Sequence, residues 1–309
     1  MTTSEPSFSV IVDVTNPGQF FACCGLLELA NRLWPGVEGW FAQDESAFNI
    51  LSSERSASLE GLLKELRSCE IVSLSKEEYK ELKEIDAKRR RLRKEGQDLS
   101  TQEKNRYQKL GSKSREGTLT IGGSFGILLD WWQTGNDDII VPKTWAGRQE
   151  IHKIARAAQD ALAYIPNPEE LFDYGCILRK PKEYCIKEAD FEKAVEPFYF
   201  DARRFAHALD TGFSLDVQDA EAIAYPAVEL LSLIGLQRFR PRVPATEEKG
   251  SKWTFEYSVW KRPLSVAVAS AVASCAVSSG NRYRFQLLFR DDQKRYKAFD
   301  FAIPMGGMI

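Results

Sequence analysis

The chain has 309 residues, of which 43% are hydrophobic and 28% charged, and a formal net charge of −2 at pH 7. That length buries one substantial core or two modest ones without disulfide staples, and the composition excludes a disordered or fibrous chain. The longest apolar stretch, residues 263–277, is interrupted by Ser265, Ser270 and Ser274 and falls short of the ~20 residues of a membrane helix, so no membrane partner is expected. The first residues lack the basic-then-apolar pattern of a secretory signal, and the expected compartment is the cytoplasm. Cys23 and Cys24 are adjacent and Cys69, Cys176, Cys185 and Cys275 are isolated, with no Cys-x-x-Cys pair. Neighbouring thiols on a helix point apart, so the cysteines read as buried and reduced, and no cofactor is expected.

In chain order, residues 8–14 are nearly all apolar and β-branched and predict a central strand. Asn16, Pro17 and Gln19 form a helix-start signal, predicting a helix to about residue 33 that buries Phe20, Cys23, Cys24 and Leu27 and stops at Trp34-Pro35-Gly36. A helix is expected at 59–66 and a short strand at 71–74. Ser75-x-x-Glu78 and Ser100-x-x-Glu103 both have capping-box form with Gly96 between them, which predicts a helical hairpin. Its apolar positions are sparse, so it should project from the body. Strands are expected at 118–121 and 125–129 around Gly122-Gly123, followed by a helix from about 149 to 163. Further helices fit 189–194 and 219–234, and strands fit 253–259, 264–269, 283–289 and 296–301. The fold class is therefore α+β: a mixed sheet with packed helices, a projecting basic helical hairpin and a strand-rich C-terminal part. The expected divisions are 1–74, the hairpin insertion 75–117, and 118–309.

Charge is distributed unevenly. Between residues 87 and 115 stand eleven cations (Lys88, Arg89, Arg90, Arg91, Arg93, Lys94, Lys104, Arg106, Lys109, Lys113 and Arg115) against three acids, Glu95, Asp98 and Glu103. Dense cations on a helix displace counterions from a phosphate backbone, whereas a purely solubilising face interleaves both signs. Lys143, Trp145, Arg148 and Gln149 form a second candidate, with chemistries that suit base edges and unstacked bases; the alternative is a helix start with Trp145 in the core. Arg203, Arg204, Arg238, Arg240 and Arg242 are weaker phosphate candidates, since arginines of this kind more often form surface ion pairs.

Catalytic signals are few. His152 and His207 belong to no metal motif, and Gly122 to Gly126 lacks the Gly-Lys-Ser/Thr of a phosphate loop. A cluster of His207, Asp210, Asp201, Asp216 and Asp219 would suit Mg²⁺ only if the fold gathers them; caps and turns are the plainer reading.

The run Val-Asp-Val-Thr-Asn-Pro-Gly-Gln-Phe-Phe-Ala-Cys-Cys-Gly-Leu-Leu-Glu-Leu-Ala, from Val12 to Ala30, resembles the N-terminal strand and helix of large-subunit proteins in type I CRISPR-Cas effector (Cascade) complexes, especially the short form of subtype I-U (I-G). Ile127 to Trp132 is similar to that family's Leu-Leu-Leu-Asp-Trp-Trp, and segments 143–149, 209–214 and 225–241 also resemble it. The resemblance implies a non-enzymatic subunit at the foot of the crRNA-bearing backbone subunits. There it would contact the protospacer-adjacent motif of target DNA and help open the duplex before a helicase-nuclease is recruited. Longer members end in a helical bundle, whereas strands are expected here, so a separate small subunit would supply that part. Alternatives are a backbone or crRNA-processing subunit, which needs a ferredoxin-like repeat and a Gly-rich loop better than Pro304-Met305-Gly306-Gly307, a metal nuclease built on the aspartates, and a pure scaffold.

Overall fold

The structure is a computed structural model and describes residues 5–134, 140–146, 149–185, 193–204, 221–244, 253–289 and 297–306. In order, its elements are β1 (Phe8–Ile11), α1 (Pro17–Leu33), β2 (Glu38–Phe41), β3 (Ala47–Leu51), α2 (Leu59–Ser68), β4 (Ile71–Val72), α3 (Lys76–Lys94), α4 (Thr101–Glu116), β5 (Leu119–Ile121) and β6 (Ile127–Leu129). They continue with α5 (Ile151–Ala161), β7 (Cys176–Ile177), β8 (Ile223–Ala224), α6 (Pro226–Arg238), β9 (Thr254–Val259), β10 (Leu264–Ser265), α7 (Val266–Ala273), β11 (Asn281–Phe289), β12 (Lys297–Phe299) and β13 (Ile303–Met305). The class is α+β, with several small antiparallel sheets in place of one mixed sheet. One has the order β1-β3-β2-β10 and another β4-β5-β6. In a third, β9 pairs with β11, and β13 and β12 pair with successive stretches of β11.

Helix α1 starts where its capping residues place it. The Asn16 side chain accepts from Gly18 N at 3.1 Å and Pro17 fills the first turn. The helix is buried on every side from Pro17 to Ala30, beyond the single face predicted, because α6 lies against it and is equally buried. Phe20 stacks on Tyr257 at 4.2 Å between ring centres and Phe21 meets Phe285 and Phe299 edge-on, joining α1 to the β9–β11 sheet. Phe41 and Phe48 close the other side against Trp260. Side chains before and after the hairpin thus share one apolar cluster, and β4 pairs with β5 across the hairpin's base.

Asn16 does more than cap α1. Its Oδ1 also accepts from Ala202 N at 3.1 Å and its Nδ2 donates to Asp201 at 2.9 Å, tying two segments 185 residues apart. Replacing it by alanine leaves buried donors unpaired at both ends, and Asn16→Ala should lower unfolding free energy by about 2–3 kcal/mol in urea titrations.

Several expectations change. The strand over 8–14 is a four-residue edge strand, with Ile11 64% exposed. Among the described residues its only strand partner is β3, of the β2–β3 hairpin, which the sequence reading passed over. Residues 264–269 are not a strand: β10 holds two residues and α7 follows, with burial at Val266, Ala269, Val272 and Ala273. The alternating Val-Ala pattern mimics a strand, but alanine favours helix, and the buried set recurs every three or four residues. The helix expected over 219–234 begins at Pro226 after a short strand and reaches Arg238; residues 219–220 lie outside the described residues. Of the helix expected over 189–194, residues 189–192 lie outside them too, and Ala194 bridges Arg179 in antiparallel fashion.

Candidate nucleic-acid interface

The hairpin forms as its sequence dictates. Ser75 and Ser100 each accept from the backbone N–H three residues on, and Glu78 and Glu103 reach back to the cap backbone, so both capping boxes are complete. Helix α3 ends in a Schellman closure: Gln97 N donates to Leu92 O at 2.8 Å and Gly96 N to Arg93 O at 3.4 Å, with Gly96 at φ +70°. Glycine is the residue that takes this left-handed conformation without strain.

Hydrophobic contact between the two helices is thin, with Leu110 the one large buried side chain in either. Charge holds them together instead. Arg106 grips Glu81 with two bonds of 2.6 and 2.8 Å, Lys113 reaches Glu78 at 2.6 Å, Lys88 reaches Glu103 at 2.6 Å, and the Tyr107 hydroxyl donates to Asp86 at 2.9 Å. Glu78, Glu81 and Asp86 are half-buried and committed to cations; the Lys113 bond holds the Glu78 carboxyl below its usual range, and the Arg106 bond does the same to Glu81.

This pairing redraws the basic field. Lys88, Arg89, Arg90, Lys104, Arg106 and Lys113 all have carboxylate partners, at 2.6 to 3.8 Å. Three of these carboxylates, Glu78, Glu81 and Asp86, lie on α3 N-terminal to the window in which the cations are dense. Arg91, Arg93, Lys94 and Lys109 are exposed, and Arg115 half-buried, without an ion pair among the described residues. Arg91, Arg93 and Lys94 crowd the last turn of α3, where the helix dipole also favours cations. Three adjacent cations without an ion pair among the described residues thus stand at the hairpin's tip.

In the second candidate set, Lys143 Nζ lies 5.5 Å from the centre of the Trp145 ring. Trp145 is 3% exposed and wedged among Trp131, Trp132, Phe198 and Phe200. The core alternative applies to it, and it has no face to offer a base. Lys143 is bound to Glu116 at 2.6 Å, and the Gln149 side-chain oxygen accepts from Ala146 N at 2.9 Å. Arg148 lies outside the described residues. Among the weaker candidates, Arg203 is locked on Asp201 and Asp173 over the Tyr225 ring, and Arg238 on buried Glu28. Arg240 donates to the Thr134 hydroxyl, and Arg242 is exposed beside its backbone bridge to Glu256.

Of the aspartate cluster, His207, Asp210, Asp216 and Asp219 lie outside the described residues. Asp201 is fully buried and serves Asn16 and Arg203. Beside it, burial and then the Asp201 charge push the Glu229 carboxyl up to about 8. Among the described residues no three His, Cys, Asp or Glu side chains are placed to hold a metal ion. All six thiols are free, and burial raises those of Cys23 and Cys24 far above the ordinary range, which leaves them unreactive.

The hairpin leans on the body through α5. Ser114 O meets His152 Nδ1 at 3.0 Å, Trp132 Nε1 donates to Glu116 O at 3.0 Å, and the Tyr79 and Tyr184 rings meet edge-on at 5.3 Å. Burial lowers the His152 pKa, so the ring is neutral and donates from Nδ1 to that carbonyl. On either side of the tyrosine pair runs a trough, of about 770 Å³ on one side and 630 Å³ on the other. The sequence reading missed Tyr79, Lys83, Lys153 and Tyr184, all on its walls. Tyr79, Lys83, Asp86 and Arg90 do follow the spacing of one helix face, a legible signal, but Lys153 and Tyr184 reach it only through tertiary packing.

No protein-family model, no curated protein and no solved structure matches this chain. The class defined by fold and site is an α+β body bearing a capped, cation-tipped helical hairpin. Among the described residues no helix is long and apolar enough to cross a membrane.

Proposed function

We propose that this chain is a non-catalytic DNA-binding subunit of a CRISPR RNA-guided surveillance complex, contributing to recognition of the protospacer-adjacent motif and to duplex opening in the cytoplasm. The observation that carries the DNA contact is the cluster of Arg91, Arg93 and Lys94, exposed and without an ion pair among the described residues, at the end of the hairpin. Such a cluster supplies phosphate affinity without sequence preference. The assignment to a surveillance complex rests on the resemblance over Val12 to Ala30 and 127–132. In that setting the partners are target DNA, the crRNA-bearing backbone subunits and a helicase-nuclease. The hairpin would act as a phosphate clamp while motif readout falls to surfaces near Lys143 and Gln149.

The test is salt-titrated binding of flank-varied duplex DNA to the crRNA-bearing complex, with and without this chain and with the triple variant Arg91→Gln, Arg93→Gln, Lys94→Gln. Removing three phosphate contacts should flatten the slope of log affinity against log salt by about 2–3 and weaken binding roughly 10- to 100-fold near 0.1 M salt. Thermal stability should be nearly unchanged, because no ion pair is lost. An unchanged slope would overturn the clamp. Binding that is indifferent to the chain's presence would overturn the DNA-recognition role.

A further inference from the structure

The trough between hairpin and α5 carries charge and aromatic surface that the tip contact does not use. The geometry points to this trough as a binding site for an unpaired polynucleotide strand, separate from the duplex-phosphate contact at the tip. The inference deepens the nucleic-acid reading above and rests on it.

Its larger side is lined by six cations, Lys83, Arg89, Arg90, Arg115, Lys153 and Lys180, against two carboxylates, Asp86 and Glu150. Arg89 and Arg90 share Asp86 and Lys153 binds Glu150, while Lys83 and Arg115 have no ion pair among the described residues. An enclosed positive groove concentrates polyanions more strongly than an open surface does.

The walls are also aromatic. Tyr79 and Tyr107 are half-buried, each with one cation against its ring: Lys83 lies 4.5 Å from the Tyr79 centre and Arg89 4.6 Å from the Tyr107 centre. Tyr184 forms the floor, with Lys153 at 5.6 Å. Cations that track phosphates beside rings that receive bases are the two components of single-strand recognition. A duplex keeps its bases stacked on one another and offers such rings nothing, which favours an unpaired strand. The two lobes share Tyr79, Lys83 and Tyr184 as wall residues, so they adjoin at the tyrosine pair, and each is of a size that accommodates a nucleotide-sized group.

The experiment uses the full chain and fluorescence anisotropy with three probes: oligo-dT and oligo-U of about 15 nucleotides and a mixed-sequence duplex. The trough variant is Lys83→Gln, Arg90→Gln, Arg115→Gln, and the tip triple variant serves as comparison. The trough variant should weaken oligonucleotide binding roughly 10-fold or more and leave duplex binding within about 2-fold, with the reverse for the tip variant. Tyr107→Leu should weaken oligonucleotide binding several-fold at an unchanged salt slope, since stacking rather than charge is removed. Binding of either oligonucleotide supports the site, the tighter one assigning DNA or RNA. Wild-type oligonucleotide affinity in the trough variant, or equal loss of both probe types, would overturn the inference while the tip contact stands. Failure of the wild-type chain to bind any of the three probes overturns both.

Discussion

Gly235→Ala should be among the most damaging single-methyl additions in this protein. A Cβ at that position falls 2.1 Å from Phe21 O and 2.8 Å from Gly25 N, and one at Gly25 falls 2.1 Å from Leu231 O. The two glycines face each other where α1 and α6 cross, and every obstructing atom is backbone. No side-chain rotamer relieves the overlap, so the helices must part by roughly 1 Å along a contact that Phe20, Phe21, Leu230, Leu231 and their neighbours fill completely. The expected loss is about 3 kcal/mol or more, read as a lowered urea midpoint or as insoluble protein. Gly111→Ala is the informative counterpart. There the added methyl meets only the movable Arg115 guanidinium, at 3.4 Å, within helix α4. It should stabilise by about 0.5–1 kcal/mol through the lower backbone entropy of the unfolded chain. If both substitutions were neutral, the close helix crossing would be wrong.

Glu229 should make the protein less stable as pH rises through neutrality. The carboxyl is fully buried, and the backbone N–H groups near it, those of Phe200 and Asp201 at 3.4 Å and that of Phe198, do not offset desolvation and the Asp201 charge. Its pKa is about 8 in the folded chain against an ordinary value of 4.5. The folded state therefore holds the proton more tightly. Below pH 4.5 both states are protonated and the group's contribution is complete. Between 4.5 and 8 the unfolded chain releases its proton first, and stability falls as pH increases, by on the order of 3 kcal/mol at pH 7. Glu229→Gln keeps the shape and removes the titration. Its melting temperature should exceed that of the wild type at pH 8, with the gap closing towards pH 4.5. A gap of constant size across that range would show that Glu229 does not titrate as described.

The hairpin was legible from the sequence because its determinants are local. Each capping box closes within three residues, and Gly96 sets its own turn. Pro17 after Asn16 marked the start of α1 for the same reason. The edge position of β1 was not legible, since an apolar, β-branched run reads alike in the centre and at the margin of a sheet. Nor was α7, whose Val-Ala alternation satisfies both periods until the buried face is known.

The candidate site divides in the same way. Sequence alone determined that a capped hairpin would carry a cluster of cations, because composition and spacing suffice for that. Only the tertiary structure decided which cations remain without an acid partner. Lys113 is bound to Glu78, 35 residues away, and Arg106 to Glu81, 25 residues away, and pairings at such distances depend on how two helices lie together. It likewise decided that Trp145 faces Trp131 and Phe198 rather than solvent, and that Lys153 and Tyr184 join Tyr79 and Lys83 along one trough. Hydrogen bonds within a turn are written in neighbouring residues; the company a side chain keeps across the molecule is set by the burial of the whole core.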